Sequence, residues 1–264
     1  MSQKPPPKQF VKTPINGTKF VILVSSAKGG VGKSTVAINL AFALQNLQLK
    51  IGILDADVYG PSLPKLLNLY EKPKSENGKA IIPLEKYNAQ CMSMGFLVDE
   101  QTPMIWRGPM VISAIKTMTQ NVLWKNRDVI IVDMPPGTGD TQLTFAQQVK
   151  VDGAVIVSTP QDLALLDVKR GIQMFEKTGV RILGLIDNMS YFKGDDGKDY
   201  KIFGEGGVKK TATEFNKDYL GEIPLHQDIR ASADKGEPLA CAHPKHKISL
   251  IFNKIAKSIY EKLA

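Results

Sequence analysis

Short apolar runs alternate along the chain with longer stretches in which apolar residues recur every three or four positions. Phe20-Val21-Ile22-Leu23-Val24 is the first run and reads as a buried strand. Val36, Ala37, Leu40, Ala41, Leu44 and Leu47 follow at helical spacing. Ile51-Gly52-Ile53-Leu54, Val129-Ile130-Ile131-Val132, Ala154-Val155-Ile156-Val157 and the stretch from Arg181 to Ile186 repeat the strand signature. Helices are expected from Met110 to Asn121, near Asp140–Val149 and near Leu163–Lys177, with a short one starting at Pro61 or Ser62. Met92 to Leu97 reads as a strand or a loop. Glu71 to Lys79, polar and carrying Pro73 and Gly78, reads as a surface loop. Strands that are apolar throughout and joined by helices predict an α/β fold, with a mostly parallel sheet covered by helices on both faces.

Composition narrows the class. At 264 residues the chain can bury a full core as one domain, and 43% hydrophobic with 23% charged residues places it among globular rather than disordered chains. No run approaches the ~20 apolar residues that span a bilayer, so no transmembrane segment is expected. Residues 1–19 hold four lysines, four prolines and no acid. Residues 1–18 therefore read as a flexible basic arm ahead of a domain at 19–264. A mitochondrial presequence is the other reading, against which the prolines and the lack of arginine argue. The formal charge of +8 suits an acidic partner, a nucleic acid or an anionic membrane, but no Arg/Lys patch with interleaved aromatics appears. A nucleic-acid partner is accordingly not expected. The two cysteines, Cys91 and Cys241, form no disulfide framework and fit a reducing compartment, the matrix of mitochondria or the cytoplasm.

The chemistry concentrates at Ala27 to Thr35, AKGGVGKST, between the first strand and the first helix. Strand, glycine loop and helix form the setting of a phosphate-binding loop. Gly29, Gly30 and Gly32 let the backbone on either side of Val31 turn its N–H groups toward an anion, and the helix start adds partial positive charge. Lys33 can reach the β- and γ-phosphates, and the Ser34 hydroxyl, followed by Thr35, can ligate Mg²⁺. Ala27 stands where the strict G-x-x-x-x-G-K-[ST] pattern has glycine, which requires a negative φ there. In a parallel sheet the active groups belong at the carboxyl ends of the strands. Asp55, Asp57, Asp133 and Asn188 all lie at such ends. Asp133 is the candidate Mg²⁺ carboxylate and Asp57 the candidate to position an attacking water. Pro135-Pro136-Gly137-Thr138-Gly139-Asp140 is placed to sense a γ-phosphate, with Asp140 expected as an N-cap.

With its second lysine, Lys28, the loop resembles the deviant phosphate-loop motif of the MinD/ParA branch of P-loop ATPases. The resemblance implies a homodimer that sandwiches two ATP molecules, with Lys28 crossing to the partner's nucleotide and Asp57 orienting water. Asn188, in Asp187-Asn188-Met189-Ser190, matches the asparagine that reads adenine in that branch, and Ile223-Pro224-Leu225 to Ile229-Arg230 resembles the loop flanking the base. More narrowly, Asp55-Ala56-Asp57-Val58-Tyr59-Gly60-Pro61-Ser62, Met92-Ser93-Met94-Gly95-Phe96, Trp106-Arg107-Gly108-Pro109 and Met134 to Asp140 look like the Mrp/Nbp35 group of iron–sulfur cluster carriers. Cys91 to Val98 looks closest to the mitochondrial nucleotide-binding-protein-like members. That resemblance implies a slow ATP hydrolase with ATP and Mg²⁺ as cofactors. Iron–sulfur client or assembly proteins would be its partners, and complex I a candidate beneficiary.

One departure qualifies this. The group carries a C-x-x-C pair, implied to bridge a [4Fe–4S] cluster between protomers, where this chain has Gly194 and Gly197. Glycine offers no thiolate, so cluster carriage is doubtful. Cys241, His243 and His246 lie within six residues and form a candidate metal cluster, although the plainer reading is a surface loop before the last helix. Cys91 reads as a core residue. Lys247 to Leu263 is amphipathic, with Ile248, Ile251, Phe252, Ile255 and Ile259 on one face. Packing on the sheet is favoured there over lying on a membrane. The resulting expectation is a single-domain P-loop ATPase in iron–sulfur protein maturation. The alternative is a MinD/ParA-like positioning or scaffold ATPase without a cluster.

Overall fold

The computed structural model describes residues 12–97 and 108–263, the side chains of 162–164 excepted. In chain order, β1 (Thr18–Ser25), α1 (Lys33–Asn46), β2 (Ile51–Asp55) and α2 (Leu63–Leu67) come first. Two short pairs follow, β3 (Ser75–Glu76) with β4 (Ala80–Ile81), and β5 (Leu84–Lys86) with β6 (Ala89–Ser93). Then come α3 (Gly108–Gln120), β7 (Arg127–Asp133), α4 (Asp140–Gln148), β8 (Gly153–Ser158) and α5 (Asp162–Lys177). The last third holds β9 (Ile182–Lys193), β10 (Asp199–Tyr200), α6 (Gly207–Glu214), β11 (Tyr219–Leu225), α7 (Gln227–Lys235), α8 (Leu239–Ala242) and α9 (Lys247–Glu261).

The parallel strands run in the order β11-β9-β8-β1-β7-β2-β6, with antiparallel β5 and β10 added beyond β6 and β9. Every residue of β2, β6 and β8 is buried. Since successive side chains point to opposite faces, both faces of the sheet must be covered. The register Leu54–Val132 and Asp55–Asp133 aligns the ends of β2 and β7, and Val24 pairs with Asp133 across β1. The register therefore brings two carboxylates and the start of the glycine loop to one end of the sheet.

Helix α1 is buried over most of its circumference, from Val36 through Leu44, and packs on β7 and α9. On α9, Ile248, Phe252, Ile255 and Ile259 are buried, and the helix contacts α1 and β11. Its apolar stripe is used up in the core, as the plainer reading expects, and Lys254 and Lys257 lie on the other side. No helix among the described residues is long and apolar enough to cross a membrane.

Several elements depart from the sequence reading. The Met92–Leu97 stretch divides into the end of β6 and a 3₁₀ turn, Met94–Phe96. Strand β9 runs seven residues past Ile186, because β11 pairs with it from Leu185 to Phe192 and β10 pairs with its last two residues, Phe192 and Lys193. Within the stretch read as an arm, Thr13 N donates to Gln148 O (2.7 Å) and Ile15 is buried, so the packed body starts before Lys19. Cys91 is fully buried, as expected of a core residue. Trp106 and Arg107 of the Trp106–Pro109 motif lie outside the described residues.

Candidate phosphate-binding site

The glycine loop leaves β1 at Ser25 and enters α1 at Lys33. Gly30 and Gly32 have φ of +79° and +78°, a conformation that a side chain disfavours. Ala27 is not among the residues with positive φ, so alanine at the first loop position is unstrained. Gly32 is the N-cap of α1 and supplies no side-chain cap. The helix start consequently keeps its first N–H groups for an anion.

Lys33 Nζ ion-pairs with Asp133 Oδ1 and lies 3.2 Å from Ser34 Oγ. Both partners of the pair are buried, with side chains 6% and 3% exposed. Asp133 Oδ2 is also buried but has no hydrogen-bond partner. Burial pushes the Asp133 carboxyl up from its ordinary value, against the pull of the Lys33 ammonium. A buried, unpartnered carboxylate oxygen next to a serine hydroxyl fits a Mg²⁺ ion, which binds through one or two protein oxygens plus phosphates and waters. Bound there, Mg²⁺ supplies neutralisation of phosphate charge.

Asp55 organises the neighbouring loop. Its Oδ1 accepts from Asp57 N (3.1 Å), and its Oδ2 accepts from Ser62 N (2.9 Å), Leu63 N (3.0 Å) and Ser93 Oγ (3.0 Å). Burial, then the charge of Asp133, pushes this carboxyl up to about 7, while the N–H groups of Leu63 and Asp57 oppose the shift. Asp57 uses Oδ1 to cap its own turn, accepting from Tyr59 N and Gly60 N, both at 3.2 Å. It borders a cavity of about 490 Å³ with Pro135, Pro136 and Gly139, which gives the carboxylate access to water.

Asp140 does not cap α4: the N-cap is Gly139, and Asp140 is the first helical residue. Gln142 does the anchoring instead. It is 1% exposed, donates through Nε2 to Pro135 O and accepts through Oε1 from Ser25 Oγ (2.9 Å). The Pro135–Asp140 turn is thereby tied to the end of β1. Gln142 did not stand out in sequence, and Ser93 did so only as part of the Met92–Phe96 motif, because each acts through a long-range hydrogen bond.

A second cavity, of about 220 Å³, opens beside Gly32 and Thr35 and is bounded by Asn188, Met189, Leu225, Ile229 and Arg230. The structure thus brings Asn188 and the Ile223–Arg230 stretch together next to the loop. Lys28 is half-buried and in no ion pair among the described residues. Gly29 is exposed.

Gly194 and Gly197 lie in the turn between β9 and β10. Gly194 N donates to Lys198 O and Gly197 N to Gly194 O, both at 2.9 Å. A Cβ at Gly194 would stand 2.7 Å from Tyr200 Cε2 and 2.9 Å from Asp196 Oδ1, and Tyr200 is held there by its hydroxyl donating to Asp196 Oδ2. Gly197 has φ +77°. The turn is a tight hairpin with no thiolate to offer. Cys241 and His246 do not form a metal cluster either. His246 caps α9 through Nδ1 and sets Nε2 3.2 Å from Asp228 Oδ2. Among the described residues, no group of three His, Cys, Asp or Glu side chains is placed to hold a metal.

A family profile described as ParA, the NUBPL iron-transfer P-loop NTPases, matches residues 17–260. The chain belongs to this family. The NUBPL assignment agrees with individual relatives. An Arabidopsis thaliana protein described as an iron–sulfur protein required for NADH dehydrogenase, mitochondrial, is 48% identical over 251 residues, 94% of this chain and 80% of that protein. The iron–sulfur cluster transfer protein NUBPL of Dictyostelium discoideum is 48% identical over 258 residues, covering 97% and 80% respectively. Among solved structures, the nucleotide-binding protein of Archaeoglobus fulgidus in complex with ADP superposes with a TM-score of 0.74 at 36% identity, covering 84% of this chain and 88% of that one.

Beside Asn188, Asp187 is buried and its Oδ1 is unpartnered. Burial, then the charge of Glu222, pushes its carboxyl up to about 7, against Lys201. An unfolded chain carries an ordinary aspartate, so between about pH 4 and pH 7 the folded state binds the extra proton. Stability should therefore fall as pH rises through that window. Asp187→Asn is expected to flatten the fall, leaving the variant roughly 1 kcal/mol more stable than wild type at pH 8. Urea unfolding at pH 5 and pH 8 checks this, and equal slopes for both proteins would contradict it.

Proposed function

We propose that this chain is an ATP- and Mg²⁺-dependent switch that dimerises around nucleotide and serves the maturation of iron–sulfur proteins. The observation that carries the nucleotide half is the convergence of Lys33, Ser34 and a half-unpartnered Asp133 under an uncapped helix start. In this reading Gly29 to Thr35 cradle the phosphates, Ser34 and Asp133 hold Mg²⁺, Asp57 orients water, and Asn188 reads the base. Lys28 reaches the partner's nucleotide across the dimer. Positioned water without a strong neighbouring base implies slow hydrolysis. Membership of an iron-transfer family and the mitochondrial relative required for NADH dehydrogenase support iron–sulfur clients, with complex I among them, and a mitochondrial setting.

The chain's own thiols do not support cluster cargo. The full sequence has two cysteines. Burial pushes the Cys91 thiol up to about 12 and raises Cys241, whereas cluster ligation needs thiolates. We propose that the protein acts on partners that hold the cluster themselves. A membrane-positioning role has less support, since the apolar face of α9 is buried.

Isothermal titration should find Lys33→Ala unable to bind ATP at concentrations that saturate wild type, and tight binding by the variant would remove the phosphate-loop assignment. Lys28→Ala should bind ATP as a monomer but show a weakened ATP-dependent dimer by light scattering; an unchanged dimer would refute the cross-interface role. Anaerobic reconstitution with iron and sulfide should leave the purified protein with far less than one cluster per dimer. A stoichiometric count of four iron and four sulfide would overturn the cluster-free reading.

A further inference from the structure

On β9 the alternation of the strand sends Asp187 and Asn188 to opposite faces. Met189, at φ +55°, breaks that alternation, so that Asn188 and Met189 both reach the glycine loop. A Cβ built on Gly32 would lie 2.5 Å from Asn188 Nδ2 and 3.2 Å from Met189 Cε. The Asn188 amide, 6% exposed, donates from Nδ2 to Val31 O at 2.8 Å. Only the nitrogen of an amide can face a carbonyl, so this bond fixes which way the side chain is turned and leaves Oδ1 for another partner.

Val31 is the residue between the two left-handed glycines, Gly30 and Gly32. That is the most permissive stretch of the loop, because glycine loses more conformational freedom on ordering than any other residue. A phosphate nest works only if its N–H groups already converge, and ordering them on binding weakens affinity. The Val31 carbonyl points out of such a nest, and the described residue that holds it is Asn188.

We infer that Asn188 is a positioning residue for the phosphate loop, holding the Gly30–Gly32 backbone in its anion-binding shape through the Val31 carbonyl, in addition to any contact with the base. The inference rests on the nucleotide-binding reading above. It predicts that Asn188 matters for ligands that have no base at all.

The test is binding of Mg²⁺-ATP and of Mg²⁺-tripolyphosphate, a base-free ligand, to wild type, Asn188→Ala and Leu225→Ala. Leu225, on β11, borders the cavity next to the loop, so its truncation should weaken ATP and leave tripolyphosphate within about twofold of wild type. Asn188→Ala should weaken tripolyphosphate about tenfold, the effect of losing one buried hydrogen bond at the loop, and ATP at least as much. Amides of residues 29–33 in the ligand-free variant should exchange with deuterium faster than in wild type. Asn188→Val, which suits a strand and lacks a donor, gives the same comparison should the alanine variant not fold. Loss of ATP affinity with tripolyphosphate binding and amide exchange unchanged would overturn the inference and leave Asn188 as a base reader alone. Wild type binding ATP no better than Lys33→Ala would instead count against the phosphate-loop reading itself.

Discussion

A buried ammonium beside a buried carboxylate sets the terms for the rest of the molecule. Lys33 and Asp133 meet where α1 starts and β7 ends, with almost no access to water. Removing two charges from water costs several kcal/mol per ion, and their mutual attraction only partly offsets it. Such a pair is tolerated because the whole sheet holds it. The β1–β7–β2 register fixes Asp133, Asp55 and the loop at one level, and the covered faces of the sheet keep solvent away. The pair is also incomplete, since one Asp133 oxygen has no partner. A polyphosphate for the lysine and a divalent cation for the carboxylate would satisfy both groups better than they satisfy each other.

Around the pair, second elements do the positioning. Asp55 gathers the 57–63 loop and Ser93 of β6 onto one carboxylate. Gln142 ties the Pro135 turn to β1. The loop that carries Asp57 is therefore held at both its ends by one carboxylate, and the Pro135–Asp140 turn by Gln142 and by Gly137 N donating to Ser26 O.

How much of this was legible beforehand depended on range. The glycine loop, its strand and its helix were readable because turn chemistry and hydrophobic period are local. The central strands were readable because they are apolar on both faces. β11 was not, since Gly221, Glu222 and Pro224 interrupt its pattern and only pairing with β9 makes it a strand. Asp140 looked like a cap, but the backbone of Gly139 already takes that position. Gln142 carries no local signal at all: a glutamine at the start of a helix is ordinary until its partners across the fold are known. The same holds for the link between Asn188 and Val31, which spans more than half the chain. At Gly194 and Gly197 the reverse applied. The missing thiols were plain in the sequence, and the structure adds that Gly197 has φ +77° and that a Cβ on Gly194 would meet the exposed Tyr200 ring.

The placement of the two thiols bears on how the protein meets oxygen. Exposed thiolates and the clusters they bind are what air and peroxide attack first. Here one thiol is sealed in β6 and the other is half-covered, and burial keeps both protonated. Neither thiol offers peroxide a ready thiolate, and the glycine loop that carries Lys33 contains no sulfur at all.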